Sequence, residues 1–252
     1  MPSPGLRPEG SPVWIDLNSS DRERSIAFYS NLFGWEVEEA EGLGHYQRFR
    51  LDGHLVAGLY DSDPGALDNW LTYLKTSEPE ATGRAIRDKG GKVVVFYRVT
   101  DLGTMVHAVD PAGAPIAAWA SDTFSGFEVV NEPGAPAWHE LHTFDYAKAL
   151  RFYSAAFGVE PVAMPGAPQF QMSTWGDGTT PTAGIYAGTD QLPLGVPARW
   201  ENYFLVADTD AAADDIVNLG GTIRVPATDS PFGRFARAAD VTGATFSIVA
   251  PQ

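Results

Sequence analysis

The strongest constraint on this chain is that it is written twice. Ser11-Pro12-Val13-Trp14-Ile15-Asp16-Leu17 returns as Ala135-Pro136-Ala137-Trp138-His139-Glu140-Leu141, and Phe28-Tyr29-Ser30-Asn31-Leu32-Phe33-Gly34 returns as Phe152-Tyr153-Ser154-Ala155-Ala156-Phe157-Gly158, each 124 residues further on. The later landmarks Trp70/Trp200, Gly90-Gly91/Gly220-Gly221 and Asp110/Asp240 are displaced by 130, which places a six-residue insertion at about 176–181. A repeat of this period predicts two similar domains, 1–124 and 125–252, each long enough to bury its own core. The copies meet near 121–136, where Ser-Gly and Asn131-Glu132-Pro133-Gly134 suit a surface connection better than a strand interior. The same stretch resembles the leader Pro8-Glu9-Gly10-Ser11-Pro12, so each copy carries its own entry arm.

Each copy divides again. Val13–Leu17 reads as a strand, Asp21 caps a helix whose apolar side runs through Ile26, Phe28/Tyr29, Leu32 and Phe33, and Gly34 stops it. Short strands are expected at 35–37, 46–51 and 55–60. The order then recurs, with a strand at 70–74, a helix at 78–89, the Gly90-Gly91 stop and strands near 92–96, 104–109 and 115–119. The expectation is an α+β chain of four βαβββ modules, at about 12–61, 68–120, 136–187 and 198–250, forming two curled mixed sheets with open clefts.

Composition narrows the function classes. Apolar residues make up 44% and charged residues 19%, a globular balance. With 17 basic residues against 32 acidic ones and a net charge of −15, nucleic acid and anionic membrane surfaces are not expected as partners. The absence of Cys removes thiolate nucleophiles and thiolate-bound metals. Residues 1–12 lack the apolar core of a secretory signal and no apolar run approaches a membrane span, so a cytoplasmic location is expected. Gly-rich phosphate loops, a Gly-x-Ser-x-Gly elbow and paired-His protease motifs do not occur.

The motifs Asp21…Ser25-Ile26-x-Phe28-Tyr29…Phe33-Gly34, Gly90-Gly91 and Asp110-Pro111-x-Gly113, with their counterparts Asp145…Phe152-Tyr153…Phe157-Gly158, Gly220-Gly221 and Asp240-x-x-Gly243, resemble the vicinal oxygen chelate superfamily. That superfamily includes glyoxalase I, bleomycin-resistance proteins, fosfomycin-resistance enzymes and extradiol dioxygenases, and the resemblance spans about residues 12–250. Asn131-Glu132-Pro133-Gly134 followed by Trp138-His139-Glu140-Leu141 is similar to actinobacterial two-domain members, often labelled glyoxalase-like or provisionally hydroxylases, some of which accompany aromatic natural-product pathways.

The resemblance implies metal ligands on the first and last strand of each module. Those positions fall here on Trp14, Leu71, Trp138 and Glu201, and on Gly58, Ala117, Gly184 and Ser247. Only Glu201 is a metal-ligand type, so no metal and no other cofactor is expected. A relocated cluster at His139-Glu140-x-His142 fails in part, because His139 and His142 point to opposite faces of a strand. It leaves at best Glu140, His142 and Glu201, more ordinarily read as a hydrogen-bonded polar cluster.

In place of ligands, Trp14 and Trp138 are expected to face the clefts, either as filler or as walls for a flat ligand. Asp16 and Glu140 share their faces. The two acids are candidate general bases or hydrogen-bond acceptors, or structural carboxylates paired with Arg48, Arg50 or backbone amides. Tyr46, Phe170, His142, Glu201, Phe232, Arg234 and Phe235 complete the candidate ligand-binding set, with Arg234 also readable as an exposed ion pair. His107 reads as a satisfied core histidine. The leading expectation is metal-independent binding of an apolar or aromatic small molecule, for sequestration, resistance or help in natural-product metabolism. The alternative is a metal-free isomerase, lyase or cyclase using Asp16 or Glu140, and a metal-dependent glyoxalase or dioxygenase is less expected. Pairing of two copies in one chain favours a monomer, with a dimer open.

Overall fold

Helix ends show how directly the sequence sets the local structure. A computed structural model describes residues 7–63, 65–165, 171–176, 180–188 and 196–251. In the first copy β1 (Pro12–Ser19) leads to α1 (Arg22–Phe33), where the Asp21 side chain accepts from the Arg24 amide and Gly34 turns left-handed at φ 73°. The second copy repeats this in β9 (Pro136–Thr143) and α3 (Tyr146–Phe157), with Asp145 accepting from the Lys148 amide and Gly158 at φ 66°. A carboxylate that meets orphan amides and a glycine that enters the left-handed region without Cβ strain are local chemistry, and both were expected.

Module one continues with β2 (Glu36–Glu39), β3 (Gln47–Leu51) and β4 (His54–Asp61). Module two comprises β5 (Asn69–Lys75), α2 (Pro79–Asp88), β6 (Lys92–Val99), β7 (Gly103–Val109) and β8 (Pro115–Ser121). Module three adds β10 (Val162–Ala163), β11 (Met172–Gly176) and β12 (Pro181–Ala187). Module four adds β13 (Arg199–Leu205), α4 (Thr209–Asn218), β14 (Thr222–Ser230), β15 (Gly233–Ala239) and β16 (Thr245–Ala250). The strands form two open eight-stranded mixed sheets, ordered β2-β3-β4-β1-β5-β8-β7-β6 and β10-β11-β12-β9-β13-β16-β15-β14. Each βαβββ module pairs its first strand in parallel with its last: β1 with β4, β5 with β8, β9 with β12 and β13 with β16.

Compactness groups the modules differently from the sheets. One unit consists of 1–13, 72–126 and 139–200, and the other of 14–71, 127–138 and 201–252. The first therefore draws mainly on modules two and three, the second on modules one and four. In the first unit Leu74, Ile86, Ile116, Phe152, Tyr153, Phe157, Trp175 and Trp200 share one core. The second is an aromatic core in which Tyr29 stacks on Trp35 (5.5 Å, 21°) and meets Trp70 and Phe246 edge-on.

The same polar latch closes each core. Tyr29 accepts from Trp70 Nε1 (3.0 Å) and donates to Asp240 Oδ2 (3.0 Å). Tyr153 accepts from Trp200 Nε1 (3.0 Å) and donates to Asp110 Oδ2 (3.2 Å). Desolvation, then the facing carboxylate, pushes both phenols well above their usual range, so they stay neutral donors.

Three local expectations are revised. Trp35 was expected to begin a strand; β2 begins at Glu36, and Trp35 is buried with its Nε1 donating to the Gly134 carbonyl at 2.7 Å. Tyr46 was placed on the third strand, but β3 begins one residue later. The segment 121–136, expected as a surface connection, buries Phe127, Val129 and Ala135. Phe127 and Val129 outweigh the turn residues around them, because burying each is worth about 1.5–3 kcal/mol.

Candidate functional site

Alternation along β1 sorts its side chains. Ile15 and Leu17 are fully buried and Ser19 bonds Ser25 of α1, so the odd-numbered positions face the helix. Trp14, Asp16 and Asn18 therefore project from the opposite sheet face. There Asp16 Oδ1 accepts from Trp14 Nε1 (2.8 Å) and from the Tyr46 hydroxyl (2.7 Å), and Trp14 Nε1 also lies 2.9 Å from that hydroxyl. Burial, followed by the Asp16 charge and its hydrogen bond, pushes the Tyr46 phenol well above its usual range and keeps it a donor. Arg48 and Arg50, candidate partners for Asp16 in the sequence, both engage Glu38. Asp16 sits opposite Gly58 in the β1–β4 register, and a Cβ at Gly58 would overlap both the Tyr46 hydroxyl and Asp16 Oδ1. The sequence-predicted Trp14, Asp16 and Tyr46 thus come together, with Phe127 tilted against Trp14 at 5.6 Å.

The equivalent strand β9 carries Trp138, Glu140 and His142 on one face. Glu140 lies opposite Gly184, and His142 opposite Tyr186. His142 Nε2 is 2.7 Å from Glu140 Oε1, and the His142 ring meets Tyr186 edge-on at 5.5 Å. Trp138 is half-buried where Trp14 is buried. Phe170, the expected counterpart of Tyr46, lies outside the described residues.

The first strands of the other two modules differ in chemistry. Tyr73 on β5, opposite Ala117, shares a hydrogen bond with His107 Nε2 at 2.9 Å. Burial lowers His107 to about 4, so it is neutral at ordinary pH. Glu201 on β13 is fully buried, accepts from Ser247 Oγ at 2.8 Å and pairs with Arg237 at 3.3 Å. Phe235 tilts against Tyr203 at 6.5 Å, whereas Phe232 is exposed. Arg234 is an exposed ion pair with Asp210 (2.6 Å) and Asp229 (2.9 Å).

At the positions where the resemblance implies metal ligands, most described side chains of this chain are not of ligand type. Trp14 and Trp138 bring indoles to the first strand, and Gly58 leaves no room for a ligating side chain beside Tyr46 and Asp16. Glu201 is neutralised by Arg237 and bound by Ser247. Among the described residues no three His, Cys, Asp or Glu side chains converge into a metal-binding group. Nor is any described helix long and apolar enough to cross a membrane.

Sequence reasoning missed Asn18, Tyr60, Tyr73 and Tyr186. Asn18 corresponds to His142 across the repeat, and Tyr60 to Tyr186 in the strand register, so the signal was present two residues beyond each acid.

Four βαβββ modules arranged as two open sheets, each module pairing its outer strands in parallel, define the class. The chain belongs to the glyoxalase/bleomycin resistance protein/dioxygenase superfamily, whose model matches residues 11–144. Among its relatives, the anthracycline biosynthesis protein DnrV of Streptomyces peucetius is 35% identical over 95% of this chain and 93% of its own length. CFP32 of Mycobacterium tuberculosis, provisionally named a glyoxylase, is 32% identical over 100% of this chain and 98% of its own. Solved structures of like fold include the Mn(II)-bound glyoxalase of Novosphingobium aromaticivorans (TM-score 0.66, 15% identity, 97% of this chain and 83% of that one). Another is the 2,3-dioxygenase LapB of Pseudomonas sp. KL28 (0.65, 14%, 96% and 92%).

Proposed function

We propose that this protein binds an apolar or aromatic small molecule without a metal ion, as a carrier or helper in natural-product metabolism. One observation carries the reading: where the family places a metal ligand, Trp14 holds a hydrogen bond to Asp16, which Tyr46 also donates to. Two neutral donors meet Asp16 Oδ1 and fix the indole, and a fixed indole is a wall for a flat ligand, worth about 0.5–1.5 kcal/mol beyond burial. The anthracycline-biosynthesis relatives make a planar, hydroxylated, fused-ring aromatic the first ligand class to try. A net charge of −15 supports a partner other than nucleic acid.

The test is native mass spectrometry of untagged protein, with elemental analysis, followed by titration with anthraquinone. A metal-free mass and saturable quenching of indole fluorescence are expected. A stoichiometric divalent metal, or no response to any planar aromatic, refutes the reading. A second reading, metal-free proton-transfer catalysis, is favoured by the close Glu140–His142 pair.

A further inference from the structure

Two buried polar atoms stand out at equivalent places in the repeat. Asn18 is 8% exposed; its Nδ2 donates to Asn69 Oδ1 at 3.3 Å, while its Oδ1 is buried without a partner. His142, 124 residues on and 1% exposed, has Nε2 2.7 Å from Glu140 Oε1 but outside hydrogen-bond geometry, and its Nδ1 is buried without a partner. Leaving such an atom unsatisfied costs about 1–3 kcal/mol, and each case needs a cause. Both residues sit two positions beyond the acid, on the face that carries Trp14 and Asp16 or Trp138 and Glu140, and each is paired in register with a tyrosine.

The chemistry of the two atoms is related but unequal. Asn18 Oδ1 is an acceptor that never titrates. The Glu140 carboxylate, 2.7 Å from Nε2, favours the imidazole tautomer protonated there and leaves Nδ1 as an acceptor too. Both orphans therefore call for a donor, but only His142 can keep the proton.

We infer that Asn18 and His142 are the polar ligand contacts of their respective copies, and that each takes the hydroxyl of a planar phenol or enol. The inference rests on the metal-free aromatic-binding reading above and names its specificity. At Asn18 the ligand hydroxyl donates and stays neutral. At His142 its proton passes to Nδ1, the ligand oxygen keeps the electron pair, and the new imidazolium faces Glu140 beside the Tyr186 ring. Glu140 acts through His142 as a positioning residue. The two copies thus hold one class of ligand in two protonation states.

Alizarin, a dihydroxyanthraquinone whose colour reports ionisation, tests this against anthraquinone, which has no hydroxyl. With the full chain, at a pH where free alizarin is mostly un-ionised, alizarin is expected to bind more tightly than anthraquinone and to show the ionised absorption band. His142→Gln and Glu140→Gln should abolish the band. Asn18→Ala should weaken alizarin about fivefold, the worth of one hydrogen bond, and leave the band in place. An unchanged far-ultraviolet circular-dichroism spectrum and a cooperative thermal transition in the variants show that they remain folded. If anthraquinone and alizarin bind alike, or the band survives His142→Gln, this inference fails while aromatic binding stands. If neither binds, the binding reading itself fails.

Discussion

Replacing Tyr29 by Phe removes one oxygen from a buried polar contact of its unit. The hydroxyl is fully buried, accepts from Trp70 Nε1 and donates to Asp240 Oδ2, each at 3.0 Å. The stacked contact with Trp35 and the edge contacts with Phe28 and Trp70 survive, so packing changes little. What is lost is a partner for a buried indole N–H and one for a buried carboxylate oxygen. The other oxygen, Oδ1, stays held by the Thr242, Gly243 and Ala244 amides. At about 1–2 kcal/mol for the neutral group and about 1.5–3 for the charged one, the variant is expected to lose about 3 kcal/mol. In a chain of this size that corresponds to a Tm roughly 6–12 °C lower. Urea titration with an unchanged m value measures it. Tyr153→Phe, which breaks the matching latch of the other unit, should cost a similar amount through Trp200 and Asp110. A loss below about 0.5 kcal/mol in both variants would refute the claim that these hydroxyls hold buried hydrogen bonds.

Other outcomes follow from the same geometry. Gly58→Ala puts a methyl group into the Tyr46 hydroxyl and Asp16, so it should cost about 1–3 kcal/mol and weaken aromatic binding. Thermal unfolding and the anthraquinone titration read both effects, and a neutral result would mean that the cluster is slack. His107 gives a pH signature. Its folded value of about 4 lies below its ordinary 6.5, so the unfolded chain takes up the proton first as pH falls. Stability is therefore intact above pH 6.5, about 2 kcal/mol lower at pH 5 and at most about 3 kcal/mol lower below pH 4. The stability difference between the native chain and His107→Gln should shrink accordingly between pH 7.5 and 5. Parallel curves would show that burial does not lower His107 below its ordinary value.

Whatever depends on neighbours along the chain was legible before any folding was considered. The repeat, the Asp21 and Asp145 caps, the Gly34 and Gly158 stops and the alternation that puts Trp14 with Asp16 and Glu140 with His142 all follow from contacts within a few residues. The class followed as well, because those local signals recur in order and at fixed intervals. Only the tertiary structure decided which distant groups meet. That Tyr46 completes the Asp16 pair, that Tyr29 finds Asp240 across 211 residues and that modules one and four share a compact unit depend on strand register and packing, which no local pattern encodes. The site divided on the same line. The indoles were legible at the metal-ligand landmarks and the acids two residues beyond them, whereas the unpartnered Asn18 Oδ1 and His142 Nδ1 appear only once every neighbouring donor is placed, because an orphan atom is a property of its surroundings.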